Sequence, residues 1–255
     1  MGYQEFKPNQ KLDHLVDCYW ISEEQTSRTS RVLPDGCADL IFNFGEAIIN
    51  ASDMHVSVAK ESIAAVGMMT TFRDVFAPSG ASLLGIRFKS GRLSTLSSTP
   101  LSELKNITIQ ASEVIPEFND LFLEKLFYTD GIKNRITQIE KILYRLLVNN
   151  QKPDDLLITS VTDLILQSNG QVRAEEVAEA ACISLRQLQR RFKDKVGMTL
   201  KEFTKVIRFI NTSDIIKSSS RKSILEIAFE AGYYDHSHLT HDFKQLAGIL
   251  PSALK

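Results

Sequence analysis

Arg186, Gln189 and Arg190 carry the side-chain types that read DNA base edges. An Arg fork matches the O6 and N7 acceptors of guanine, and a Gln amide matches the N6 and N7 edge of adenine. Spaced three and four residues apart, all three share one face if the segment is helical. His236, Ser237, Thr240 and His241 repeat the arrangement later in the chain with shorter polar groups. Ser184, Arg191, Lys193, Arg208 and Lys244 add the hydroxyl and cations suited to phosphate oxygens, contacts that orient a protein on DNA without reading sequence. From Arg186 to Lys222, eleven Lys and Arg stand against only Asp194, Glu202 and Asp214, in a chain whose net charge is -1. A charge run alone fits a solvated face equally well. Beside base-reading residue types, it points to phosphate.

These side chains need rigid helices behind them, and one pattern occurs twice. Leu188, Phe192, Gly197 and Phe203 align without a gap on Leu239, Phe243, Gly248 and Leu254. Leu188 with Phe192, and Leu239 with Phe243, are i, i+4 pairs that form the buried side of a helix, which leaves the polar set on the opposite side. Upstream of each, Ala178 and Ala228 are small enough for two helices to cross closely. A short helix, a tight turn and a second helix make a helix-turn-helix, whose second helix enters the major groove. The two motifs are expected at about 173–195 and 224–246. Ser184-x-x-Gln187, Thr199-x-x-Glu202 and Ser223-x-x-Glu226 fit the capping box, and Asp235 is placed to cap the last helix. A linking helix from about Leu200 to Lys217 would span roughly 27 Å. That approaches the ~34 Å repeat of duplex DNA, so one chain could enter two successive major-groove segments.

The first part of the chain reads differently. Ala38, Leu40, Phe42 and Phe44 alternate with Asp39, Ile41 and Asn43, the period of a strand with one buried face. Pro34-Asp35-Gly36 before it is a tight-turn sequence. Further strands are expected at 17–21, 47–51, 63–68, 72–76 and 83–88, with a polar loop over 22–30. Many short strands between turns predict a small barrel or sandwich. Helical periodicity follows at Ala111–Tyr128 and Ile132–Leu147. In the second, Ile132, Ile136, Ile139, Leu143, Leu146 and Leu147 form a stripe, expected to cover the barrel, with a dimer seam as the alternative. Asn149-Asn-Gln-Lys-Pro153 is a polar break. The expected division is residues 1–150 as one domain and 154–255 as a DNA-binding domain opened by a helix at Leu156–Gln167. The fold class is therefore α+β, a small barrel or sandwich with a helical extension followed by an all-α double helix-turn-helix.

Other classes fit less well. No apolar run is long enough for a membrane span, and the start lacks a secretory pattern. Cys18, Cys37 and Cys182 have no C-x-x-C spacing and read as reduced thiols of a cytoplasmic protein. His236, His238 and His241 do not share one helical face as tetrahedral zinc requires, so no metal is expected there. Ser237, His238 and Asp242 lie along one helix and make no catalytic triad. A cupin-type metalloenzyme would need a histidine cluster, and residues 1–150 hold only His14 and His55. Cys37 could be a redox or alkylation sensor, with a packed small hydrophobe the favoured reading. Asp35 and Arg87 could orient a ligand, with ordinary turn and strand-edge roles favoured.

The C-terminal ~100 residues resemble the double helix-turn-helix domain of AraC/XylS transcriptional regulators. The resemblance rests on Ala178, Ser184, Leu188-Gln-Arg-Arg-Phe-Lys193, Gly197 and Ile207-Arg-Phe209, then on Ile227-Ala228, Gly232-Tyr233, Ser237-His-Leu239, Phe243-Lys244, Gly248 and Pro251-Ser252. It implies that positions matching Arg186, Gln189 and Arg190 face bases, as do His236, Ser237 and His241 in the second motif. It also implies a non-catalytic regulator without a cofactor, acting on promoter DNA and often contacting RNA polymerase. Leu33–Phe44 and Leu84–Gly91 are similar to a cupin-like domain found on such regulators, which implies a small-molecule effector, a homodimer contact, or both. Arg173 at a helix cap, Thr212 in the linking helix, and His241 where Arg is usual depart from the family pattern. An architectural DNA-binding protein is the remaining alternative, separated by its lack of sequence preference.

Overall fold

Along Ala38–Asn43 (β4) the period-two pattern resolves as expected: Ala38, Leu40 and Phe42 are buried in the main core, while Asp39 and Ile41 face the other way. The computed structural model describes residues 2–149, 155–219 and 222–255. The expected break at Asn149–Pro153 falls almost wholly outside them, as does Arg221. The other strands are β1 (Gln4–Phe6), β2 (Val16–Glu23), β3 (Arg28–Val32), β5 (Ile48–Asn50), β6 (Val56–Val58), β7 (Ser62–Val66), β8 (Arg73–Ala77), β9 (Ser82–Phe88) and β10 (Thr108–Gln110). They pair antiparallel in two sheets, ordered β1-β2-β9-β4-β7-β10 and β3-β8-β5-β6.

The larger sheet is covered on one face by helices α1 (Asp120–Phe127) and α2 (Ile132–Asn149). Phe42 meets Phe118 and Phe122 edge-on, with centroids 5.7 and 6.3 Å apart. Its other face looks toward the smaller sheet, where Ile41 and Leu83 pack near Ile48 and Val58. Ile136, Ile139 and Leu143 of α2 are buried in the core of this same chain, so the stripe covers the sheet.

Two expectations need correction. The polar loop over 22–30 is largely strand, because β2 continues to Glu23 and Arg28–Val32 pairs with β8. Its exposed, polar residues hide an edge strand from any hydrophobic pattern. The continuous helix over Ala111–Tyr128 is broken: only a 3-10 turn forms at Ala111–Glu113, and α1 starts at Asp120, capped by Asn119 Oδ1. Pro116 lies between; it has no N–H and biases the residue before it away from helix.

The remaining helices are α3 (Leu156–Gln167), α4 (Ala174–Ala180), α5 (Leu185–Val196), α6 (Leu200–Ser218), α7 (Ile224–Glu230) and α8 (His236–Ala247). The hydrophobic core of the sheet region runs on into the first helical unit, joining Leu93 and Leu101 to Val196, Met198 and Phe203. The second unit has its own core around Phe209, Ile227, Leu239 and Phe243.

Candidate nucleic-acid interface

Both helical units are built by the same local chemistry. α4 and α7 end alike: the N–H of Ile183 reaches the Ala178 carbonyl at 3.2 Å, and that of Tyr233 reaches Ala228 at 2.9 Å. Cys182 and Gly232 donate to Glu179 and Phe229, completing a Schellman motif in each. That motif needs a left-handed residue, and Cys182 and Gly232 have φ of 52° and 76°. The next helices start at caps legible in the sequence. Ser184 Oγ accepts from Gln187 N, and Asp235 Oδ1 accepts from His238 N at 2.7 Å.

α6 is the spine to which both units dock. Phe192 of α5 packs on Phe203 at 5.5 Å, and Phe243 of α8 packs on Phe209 at 4.8 Å. Six residues of α-helix separate Phe203 from Phe209, about 9 Å along the axis and a third of a turn in direction. The two units therefore leave α6 on different faces. With Leu188, Phe192 and Val196 buried, Arg186, Gln189 and Arg190 emerge on the exposed side of α5.

They enter a cleft of about 860 Å³ between α5 and α6, closed on one side by His238 and Asp242 of α8. Lys193 and Arg208 border it. His236, Ser237, Thr240, His241 and Lys244 do not join them; these line a separate hollow of about 630 Å³ on another face of α8. The sequence reading missed Arg173, Lys201, Lys205, His238 and Asp242 in the basic cleft. Lys201, Lys205 and Arg208 follow helical spacing on α6, which was the available signal.

Three expected phosphate ligands are already engaged. Arg191 does not line the cleft; its Nε and an Nη donate to the two oxygens of Asp155, the α3 cap, at 2.6 and 2.8 Å. Arg208 donates twice to the Gly170 carbonyl, at 3.0 and 2.7 Å, and lies over the Tyr233 ring. Ser184 is occupied by its capping box. Lys205 ties the cleft together, reaching Asp242 at 3.2 Å and Gln245 at 3.0 Å.

Residues 177–255 match the family described as "Helix-turn-helix domain". An HTH-type transcriptional regulator of Haemophilus influenzae is 29% identical over 99 residues, which is 39% of this chain and 33% of the relative. The transcriptional activator RhaS of Klebsiella pneumoniae is 31% identical over 71 residues, 28% of this chain and 25% of its own. The C-terminal region is an AraC-type helix-turn-helix domain. The chain spans a third or less of the length of either curated relative. Residues 4–110 match the family described as "Domain of unknown function (DUF6597)". ToxT from Vibrio cholerae superposes with TM-score 0.47 at 12% identity, over 99% of this chain and 97% of its own. The C-terminal domain of AraT from Geobacillus stearothermophilus does so with TM-score 0.36 at 24% identity, over 38% and 82%. Among the described residues no helix is long and apolar enough to cross a membrane, and no three metal-ligand side chains gather.

Proposed function

We propose that the chain is a sequence-specific DNA-binding transcriptional regulator in which α5 reads bases from the major groove and α8 makes the second DNA contact. One observation carries the reading: Arg186, Gln189 and Arg190 stand together on the exposed side of α5, in a cleft with Lys193, Lys201 and Lys205 on its walls. Base-type donors within a basic surround are what direct readout requires, and long-range attraction alone would need only the cations. The reading assigns no catalytic step to the chain. It treats residues 1–150 as the part that receives a small-molecule signal, supported by an internal cavity between the two sheets. RNA polymerase contact and a homodimer are further parts of the reading, each open to in vitro transcription and sedimentation.

The test is selection of bound duplexes from a random pool, followed by competition of the selected site against unrelated DNA. A regulator should prefer its site by about a thousandfold or more. Binding without preference would replace this reading with an architectural role.

A further inference from the structure

The cavity between the sheets measures about 270 Å³. Its floor is a row across the larger sheet: Arg87 opposes Asp39, Asp39 opposes Val66, and Val66 opposes Thr108. Directly opposed residues project to one face, so all four meet the cavity together. One step along, Trp20 opposes Gly85. A Cβ on Gly85 would sit 1.9 Å from the Trp20 ring, so the glycine lets the indole lie flat over the strand. The indole Nε1 then donates to Asp39 Oδ1 at 3.0 Å.

The charges on this wall do not balance locally. Arg87 Nε lies 3.2 Å from Asp35 and 3.5 Å from Asp39, one guanidinium between two carboxylates, and that buried N–H makes no hydrogen bond. Burial pushes both carboxyls above their ordinary value, against the pull of Arg87. Elsewhere on the wall Glu24 and Arg28 neutralise each other at 2.7 Å. Arg73 already donates to Thr108 Oγ1 and the Asn106 carbonyl, so neutral dipoles hold its charge. The remaining wall is apolar, with Ile41 and Leu83 from one sheet and Val58 and Val75 from the other. An uncompensated carboxylate away from water is costly, and a matching cation relieves that cost.

We propose that this cavity binds a small, largely apolar organic cation, with its ammonium against Asp35 and Asp39 and its body between the sheets beside Trp20. The volume falls near the lower bound of about 300 Å³ for ligand pockets, which suits a single ring with a short arm. The proposal rests on the regulator reading for what binding would control, but not for the binding itself.

Trp20 is the single tryptophan of the chain, so its emission reports on the cavity. The full chain is titrated with 2-phenylethylammonium, 2-phenylethanol and phenylacetate at constant ionic strength. The ammonium should shift Trp20 emission saturably and bind about tenfold or more tighter than either analogue. Asp39→Asn, which keeps an oxygen for the indole, should cost the ammonium about tenfold and leave the alcohol unchanged. Should that variant misfold by circular dichroism, Asp35→Asn is read in its place. Equal affinity for all three compounds, preference for phenylacetate, or no saturable change overturns the proposal. No DNA enters this titration, so its failure leaves the regulator reading standing, and failed operator selection leaves this one standing.

Discussion

Arg31 of β3 donates to the carbonyl of Ala247, the last residue of α8, at 3.0 Å. The same guanidinium grips both oxygens of Asp74 at 2.7 Å and lies 4.1 Å over the Phe72 ring. A cation at a helix C-terminus complements the helix dipole. Ser30 and Val32, on either side of Arg31, line the cavity between the sheets, since successive strand residues point to opposite faces. The strand that walls the cavity thus also holds α8. Thr71 adds a hydrogen bond to the Gln245 carbonyl.

Arg31→Ala should loosen that hold without unfolding either part. The expected result is faster amide exchange over 236–255, with exchange in β4 and β9 unchanged. Unchanged protection in α8 would show that its position does not depend on Arg31.

α5 and α8 should contribute unequally to DNA binding. Arg190→Ala removes a long cationic donor from the basic cleft and should cost ~1–3 kcal/mol on a selected site, with relaxed preference at one base position. His241→Ala, in the separate hollow of α8, should cost clearly less. Quantitative gel shifts with both variants decide the ranking, and equal losses would sink it.

Arg191 and Lys193 are close in sequence and should behave oppositely. Lys193→Ala should weaken binding on all DNA and reduce the salt slope by about one. Arg191→Ala loses the Asp155 pair and should lower folding stability by ~0.2–1 kcal/mol, given its half-exposed side chain. Its salt slope should match the parent chain. A reduced slope for Arg191→Ala would return this residue to the phosphate-binding set.

The contrast shows where sequence reasoning reaches. Both helix-turn-helix units were legible because each signal is local: Leu188 pairs with Phe192 four residues on, and Ser184 caps Gln187 three residues on. The pairing of Arg191 with Asp155 was not legible, because Asp155 lies far back along the chain and nothing local marks the contact. β3 was missed because an edge strand of Arg, Thr and Ser shows no buried alternation. Of the Asp35–Arg87–Asp39 cluster only Asp35 and Arg87 stand out in the sequence; Asp39 reads as a strand residue there, because only strand register sets it opposite Arg87.

Glu202 should make the contact between the two regions acid-labile. Burial raises its carboxyl, but the Thr199 N–H, the Lys105 ammonium at 3.0 Å and the Thr199 hydroxyl outweigh burial and hold it below its ordinary value of 4.5. A carboxyl lowered in the folded state contributes stability that is complete above the unfolded value and is lost as pH falls through the folded one. Unfolding midpoints should therefore drop on acidification below about pH 4.5 more steeply in the parent chain than in Glu202→Gln. Parallel curves for the two proteins would remove Glu202 from the account.

Cys182 offers the opposite kind of change, a gain. It occupies the left-handed position of the first turn, where the second unit has Gly232. A side chain there costs ~1–2 kcal/mol, and glycine gives back roughly 0.5–1 kcal/mol of that through its freer unfolded chain. Cys182→Gly should then stabilise the chain by about 0.5–1 kcal/mol. Gly232→Ala should destabilise it, since the added Cβ would also meet the Gln171 side chain at 3.1 Å. Denaturant midpoints of both variants test the pair, with affinity for a selected site expected to hold in the first. A destabilised Cys182→Gly would mean that the exposed thiol side chain makes a contact worth more than the strain it imposes on the turn.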